Sequence, residues 1–246
     1  MLIFASHLHE ERKVVQELAD ALSVFGVEVF VAHSSIEAGM AWHQEVLAKL
    51  DEADAGIAIL HDRFNGSPWC AQEVGWLLGR KVPVVSLMFG LAPYGFLGER
   101  QGIDAARAEL PIRRNSADRE AVAMAHAVLG VLEKDERLLP AVLATYVGAI
   151  EGSQTFNNTD QTWYRLGKFR ALDEESCIML LRAVETKTQV YRSGHRDEML
   201  SFLGQQPGVG AINDRLARAM DAARDEEAWT SYALTAEDEW SAWRRR

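Results

Sequence analysis

Ala55-Gly56-Ile57-Ala58-Ile59-Leu60, His61 to Pro68, Trp69 to Gly79, and Val82-Pro83-Val84-Val85-Ser86-Leu87-Met88 follow one another in the chain, and their order decides the fold. The first run carries no polar side chain. A strand with one wet face alternates polar and apolar residues, so this one is covered on both faces. His61 to Pro68 is rich in turn formers. Trp69 to Gly79 is long enough and apolar enough for a packed helix. Val82 to Met88 is β-branched and again mostly apolar, a second buried strand. Strand, helix and strand in this order predict parallel pairing with the helix packed on the sheet.

The same alternation extends toward the N-terminus. Leu2-Ile3-Phe4-Ala5 is a short apolar run. Val14, Val15, Leu18, Leu22 and Phe25 recur at helical spacing, with Glu10, Glu11, Arg12, Lys13, Glu17 and Asp20 opposite, and Gly26 stops that helix. Val27 to Val31 predicts a strand, Ala32 to Gly39 a loop, and Met40 to Leu50 a helix. Beyond the fourth strand lie a Gly/Pro/aromatic loop, Phe89 to Gly102, and a helix over Asp118 to Glu133. The pattern is that of an α/β, flavodoxin-like doubly wound parallel sheet. Ligands of such folds sit at the carboxyl ends of the strands. Here those ends are Ser6-His7, Ala32 to Gly39, His61 to Pro68 and Phe89 to Gly95.

After the charged stretch Glu133 to Arg137 no strand series recurs. Leu143, Tyr146, Val147 and Ile150 share a helical face, and Gly152 to Thr162 is expected as a polar loop. Asp173 suits the start of a helix bearing Ile178, Leu181 and Val184. Ile212, Leu216, Ala219, Met220 and Ala223 form another face. Thr235 with Asp238 has the spacing of a capping box ahead of Trp240 and Trp243. The expected division is an α/β domain over 1–135 and a small all-α domain over 136–246.

The chain has 246 residues, 48% of them apolar, and a formal charge of −10. That charge argues against gripping nucleic acid by bulk cationic surface. Residues 1–110 hold 8 Lys/Arg and 15 Asp/Glu, and residues 111–246 hold 18 and 21, so the acidity is concentrated in the first part. Cys70 and Cys177 lie in no CxxC, which points to reduced thiols. Met1 to Ala5 is too short for a signal-peptide core, and no run is long enough to span a membrane. A cytoplasmic protein with neither nucleic-acid nor membrane partners is expected. Five of the seven histidines fall in the first 61 residues, but their spacing matches no metal motif. No P-loop, GxGxxG after the first strand, GxSxG elbow or receiver-type acidic pair is present.

Ser67-Pro68-Trp69-Cys70-Ala71-Gln72-Glu73 carries the chemical interest. Glu73 is an acid in an otherwise apolar helix, and Trp69 precedes it by four, which puts both on one face. Two readings stay open. Glu73 complements the helix N-terminal dipole while Trp69 fills core, or the pair belongs to a ligand site at a strand's carboxyl end.

Phe4-Ala5-Ser6-His7, Val29 to Gly39, Trp42, Ser67 to Glu73, Tyr94-Gly95-Phe96 and Gln101-Gly102-Ile103 together resemble a bacterial Toll/interleukin-1 receptor (TIR) domain over about residues 1–135. The resemblance implies cleavage of NAD+ at the nicotinamide–ribose bond, to ADP-ribose or a cyclic ADP-ribose variant, in antiphage defence signalling. It implies Glu73 as the catalytic glutamate, four residues after Trp69, and Ala32 to Ala41 as the BB loop that gates the pocket. Ser6, His7, His33, Ile36, Trp42 and Trp69 are the expected substrate-binding residues. Animal members that cleave NAD+ have basic residues where this chain has Ser6-His7, and Trp42 is offset by one from their aromatic position. NAD+ is then substrate, with no cofactor and no metal. Expected partners are other TIR domains, through self-association, and a defence-system effector or sensor protein. A second implied role is a non-enzymatic adaptor acting through TIR–TIR assembly.

Overall fold

The computed structural model describes residues 1–31, 41–105 and 119–243, with the side chains of 41, 42, 119 and 243 outside that description. The chain divides into two compact units, one of residues 1–23 with 27–138 and one of residues 24–26 with 139–246.

The first unit runs β1 (Leu2–Ser6), α1 (Arg12–Ser23), β2 (Glu28–Val31), α2 (Ala41–Glu52), β3 (Ala55–His61), α3 (Pro68–Gly79), β4 (Val84–Phe89), β5 (Ile103–Asp104) and α4 (Arg119–Leu132). The sheet order is β2-β1-β3-β4-β5, and every pairing in it is parallel. The α/β, flavodoxin-like architecture follows. The path steps one way from β1 to β2 and the other way from β2 to β3 and β4. Right-handed crossovers therefore put α1 on one face of the sheet and α2 and α3 on the other. α4 packs against α1, and α2 against α3. β5 holds two residues, too short for an apolar run to announce it.

β3 is buried along six of its seven residues, as its uninterrupted apolar run requires. Its side chains alternate between faces. Ala58 and Leu60 enter the core under α2 and α3, with Phe4, Phe30, Val46, Leu50, Cys70, Val74 and Leu77. Gly56 heads the same row. A Cβ there would stand 2.7 Å from Leu77 Cδ1 and 3.2 Å from Val84 Cγ2, so glycine is what lets α3 lie close on the strand.

The second unit consists of helices: α5 (Leu139–Glu151), α6 (Phe156–Leu166), α7 (Glu174–Thr186), α8 (Thr188–Tyr191), α9 (Arg196–Leu203), α10 (Asn213–Ala222) and α11 (Glu226–Trp243). α5 buries Val142, Leu143, Tyr146, Val147 and Ile150. α7 buries Cys177, Leu180, Leu181 and Val184, and Asp173 caps it by accepting from the Ser176 amide at 2.8 Å. Phe25 is not on α1, which ends at Ser23; its ring meets Tyr146 edge-on at 6.3 Å.

Two local expectations change. Gly152 to Thr162 is not all loop, because α6 begins inside it. Thr155 caps that helix by accepting from the Asn158 amide at 3.1 Å, and Thr159, Thr162, Trp163, Arg165 and Leu166 are its buried positions. Thr235 and Asp238 do not start a helix, since both lie within α11. The start is at Asp225, whose carboxylate accepts from the Ala228 amide at 2.9 Å.

Candidate active site

α3 starts where the turn-rich loop ends. Ser67 caps it, its hydroxyl accepting from the Cys70 amide at 3.3 Å, and Pro68 occupies the first turn, where its missing N–H costs nothing. From there Cys70, Glu73, Val74 and Leu77 are the buried positions, spaced as one helical stripe facing the sheet. Glu73 is thus a carboxylate at a core position. It lies beyond the first turn, which contains no acid, so complementing the helix dipole does not account for it.

Its partner comes from β1. Alternation along that strand sends Phe4 into the core under α2 and α3 and puts Ser6 at the end of the same row. Ser6 is fully buried, and its Oγ donates to Glu73 Oε2 at 2.6 Å. Burial pushes the Glu73 carboxyl up to about 7, against the opposing pull of that hydrogen bond. No cation among the described residues offsets the charge.

A second tie joins the same two elements. Cys70 Sγ donates to the His7 carbonyl at 3.5 Å, and burial raises the thiol, with the nearby Glu73 charge adding to it. His7 is itself buried, its Nδ1 donating to the Ala5 carbonyl at 2.9 Å. Tyr94, in the loop after β4, belongs to the same surroundings: burial raises its hydroxyl first, and the Cys70 charge second.

Trp69 is 48% exposed and so is not core. It stands at the start of α3 with its ring edge-on to His43 of α2, centroids 6.0 Å apart. The structure therefore brings together Glu73 and Ser6, with His7 next to them and Trp69 at the surface above. Trp42 is on α2, but its side chain lies outside the described residues, as do His33 and Ile36.

The residues at this end of the sheet fall within a recognisable family segment: residues 3–123 match the family described as TIR domain. The first unit carries a TIR domain. The match begins in β1 and ends in α4, so it takes in both Ser6 and Glu73. No curated protein matches the chain.

Three neighbours in the TIR domain were not singled out from sequence. Cys70 could have been, since it precedes Glu73 by three and so shares its stripe. His43 and Tyr94 come from other elements; Tyr94 lies in the Tyr94-Gly95-Phe96 stretch that carries the resemblance, which assigns it no role, and no local pattern points to His43. Among the described residues no group of three or more His, Cys, Asp or Glu is set to hold a metal, and no helix is long and apolar enough to cross a membrane.

Proposed function

We propose that the TIR domain cleaves the nicotinamide–ribose bond of NAD+, with Glu73 as the carboxylate that meets the reacting ribose. The observation that supports this is a carboxylate in a core stripe, at the ligand-binding end of a parallel sheet, with one hydroxyl donor and no described counter-charge. Such a charge is costly unless a ligand compensates it.

The nicotinamide ring of NAD+ is cationic and departs neutral, so its leaving requires no proton donor. As the C1′–N bond breaks, positive charge moves onto the ribose. A carboxylate held in a poorly solvated site stabilises that charge more strongly than water would. Capture of C1′ by water gives ADP-ribose and a proton. Capture by a nucleophile of the same molecule gives a cyclic ADP-ribose variant, one water less than ADP-ribose. Trp69, exposed and braced by His43, offers a face on which a base can stack. The pyrophosphate is met by backbone N–H groups of the strand-end loops, given how acidic this part of the chain is. Self-association with other TIR domains, and a place in antiphage defence beside an effector or sensor protein, complete the proposal on the strength of the family resemblance.

The test is NAD+ incubated with purified protein and separated by chromatography, across protein concentration. Wild type consumes NAD+, more per molecule when concentrated, and Glu73→Gln lowers the rate by roughly 100-fold or more. If wild type consumes none even when concentrated, the adaptor role replaces the enzymatic one.

A further inference from the structure

We infer that Ser6 is a positioning residue: it holds Oε2 of Glu73 and leaves Oε1 as the oxygen offered to the ligand. This rests on the catalytic assignment of Glu73 above and refines it, because the family resemblance places Ser6 among the substrate contacts.

Geometry carries the inference. The Ser6 hydroxyl has one proton, and at 2.6 Å that proton is committed to Glu73 Oε2. Ser6 is 0% exposed, so a ligand atom reaches it only if a group that covers it moves. The parallel register fixes its place, Ser6 lying opposite Ala58 at the end of β1. Cys70, three residues before Glu73, bonds to the backbone carbonyl of His7, the residue after Ser6. Two contacts, from neighbouring positions of α3 to neighbouring positions of β1, therefore lock the helix against the strand end. Oε1 has no hydrogen bond among the described residues. One oxygen is held and the other is left available, which is the arrangement a reacting carboxylate needs.

Ser6 donates to the carboxylate, so it favours the charged form. The other titratable groups at this end are Cys70 on α3 itself, His7 after β1, Tyr94 after β4, and His43 of α2 against Trp69.

The experiment compares wild type with Ser6→Ala in the full chain. Ser6→Cys, a weaker donor of similar size, serves as the intermediate. The acid limb of the kcat profile for NAD+ cleavage is expected to move up by about one pH unit in Ser6→Ala, and by less in Ser6→Cys. KM stays within about 2-fold, as for a group acting through another. The second readout needs no NAD+: the Glu73 carboxyl carbon, assigned by its loss in Glu73→Gln, is titrated by NMR. Its midpoint rises by the same amount in Ser6→Ala. A raised KM with an unmoved pH profile would make Ser6 a substrate contact and overturn the inference, as would an unmoved NMR midpoint. If wild type leaves NAD+ intact while the midpoint moves, the positioning role stands and the catalytic assignment falls.

Discussion

Glu73 in the TIR domain and Glu185 in the helical unit are both buried carboxylates on the inward side of a helix, and burial pushes both above the usual carboxylate range. Their company differs. Glu185 accepts from Arg215 Nε at 2.8 Å, from the Tyr232 hydroxyl at 2.6 Å and from Trp240 Nε1 at 2.5 Å. Arg215 reaches on to Glu239 at 3.2 Å and lies over the Trp240 ring, 4.2 Å from its centroid. The carboxylate joins α7, α10 and α11 with a full set of donors and a cation. Glu73 has one serine. A charge compensated within the protein is a structural joint. A charge left half-compensated at the binding end of a sheet costs stability, and a site that binds a cationic ligand can make use of that cost.

The comparison is tested hardest by removing the structural glutamate. Glu185→Ala leaves Arg215 buried and short of its partner, and breaking a buried pair in this way costs about 3–5 kcal/mol. Thermal unfolding followed by far-UV ellipticity should show the helical unit melting well below wild type. A loss under about 1 kcal/mol would mean that the network holds nothing together, and the contrast with Glu73 would fail.

Removing the other glutamate should have the opposite sign. An acid whose folded-state pKa lies above its unfolded value takes up a proton on folding. Its contribution is most favourable below the unfolded value near 4.5, declines as pH rises toward about 7, and remains unfavourable above that. The gap corresponds to a cost of up to about 3 kcal/mol above neutrality. Glu73→Gln, which keeps an acceptor for Ser6, is expected to raise stability at pH 8 and to change it little at pH 4. Urea unfolding at the two pH values measures this. Equal or lower stability of the variant at pH 8 would place Glu73 with Glu185, as a satisfied structural group.

The sequence makes the sheet legible because its strands are uninterrupted apolar runs. Ala55 to Leu60 can only be covered on both faces, and the parallel order follows. β5 is invisible because two residues have no periodicity. α6 looks like a loop because Asn157, Asn158, Asp160 and Gln161 fill its first turns, while two threonines and Arg165 stand among its five buried positions. Glu73 stands out as an acid among apolar neighbours. Its partner Ser6 does not, since the two are 67 residues apart and only strand register and helix phase bring them together. Glu185 shows the converse. Nothing local to α7 announces Arg215, Tyr232 and Trp240, each contributed by a later helix, so the better-satisfied carboxylate was the less visible one.

The smallest expected effect asks how much redundancy separates the two sites. Tyr232→Phe removes one of three donors from Glu185 and leaves Arg215 and Trp240 in place. The remaining donors keep the charge solvated, so the loss is about 1–2 kcal/mol, well below that of removing the carboxylate. Trp240→Phe should behave alike. The two together should cost more than their sum, because the second deletion strips a carboxylate that the first had already weakened. A double-mutant cycle by urea unfolding measures that excess. Simple additivity would mean that each donor acts alone, and Glu185 would then differ from Glu73 only in its count of partners. A coupling of about 0.5 kcal/mol or more would mean that the donors stabilise one another, a cooperation unavailable to Glu73 with its single serine.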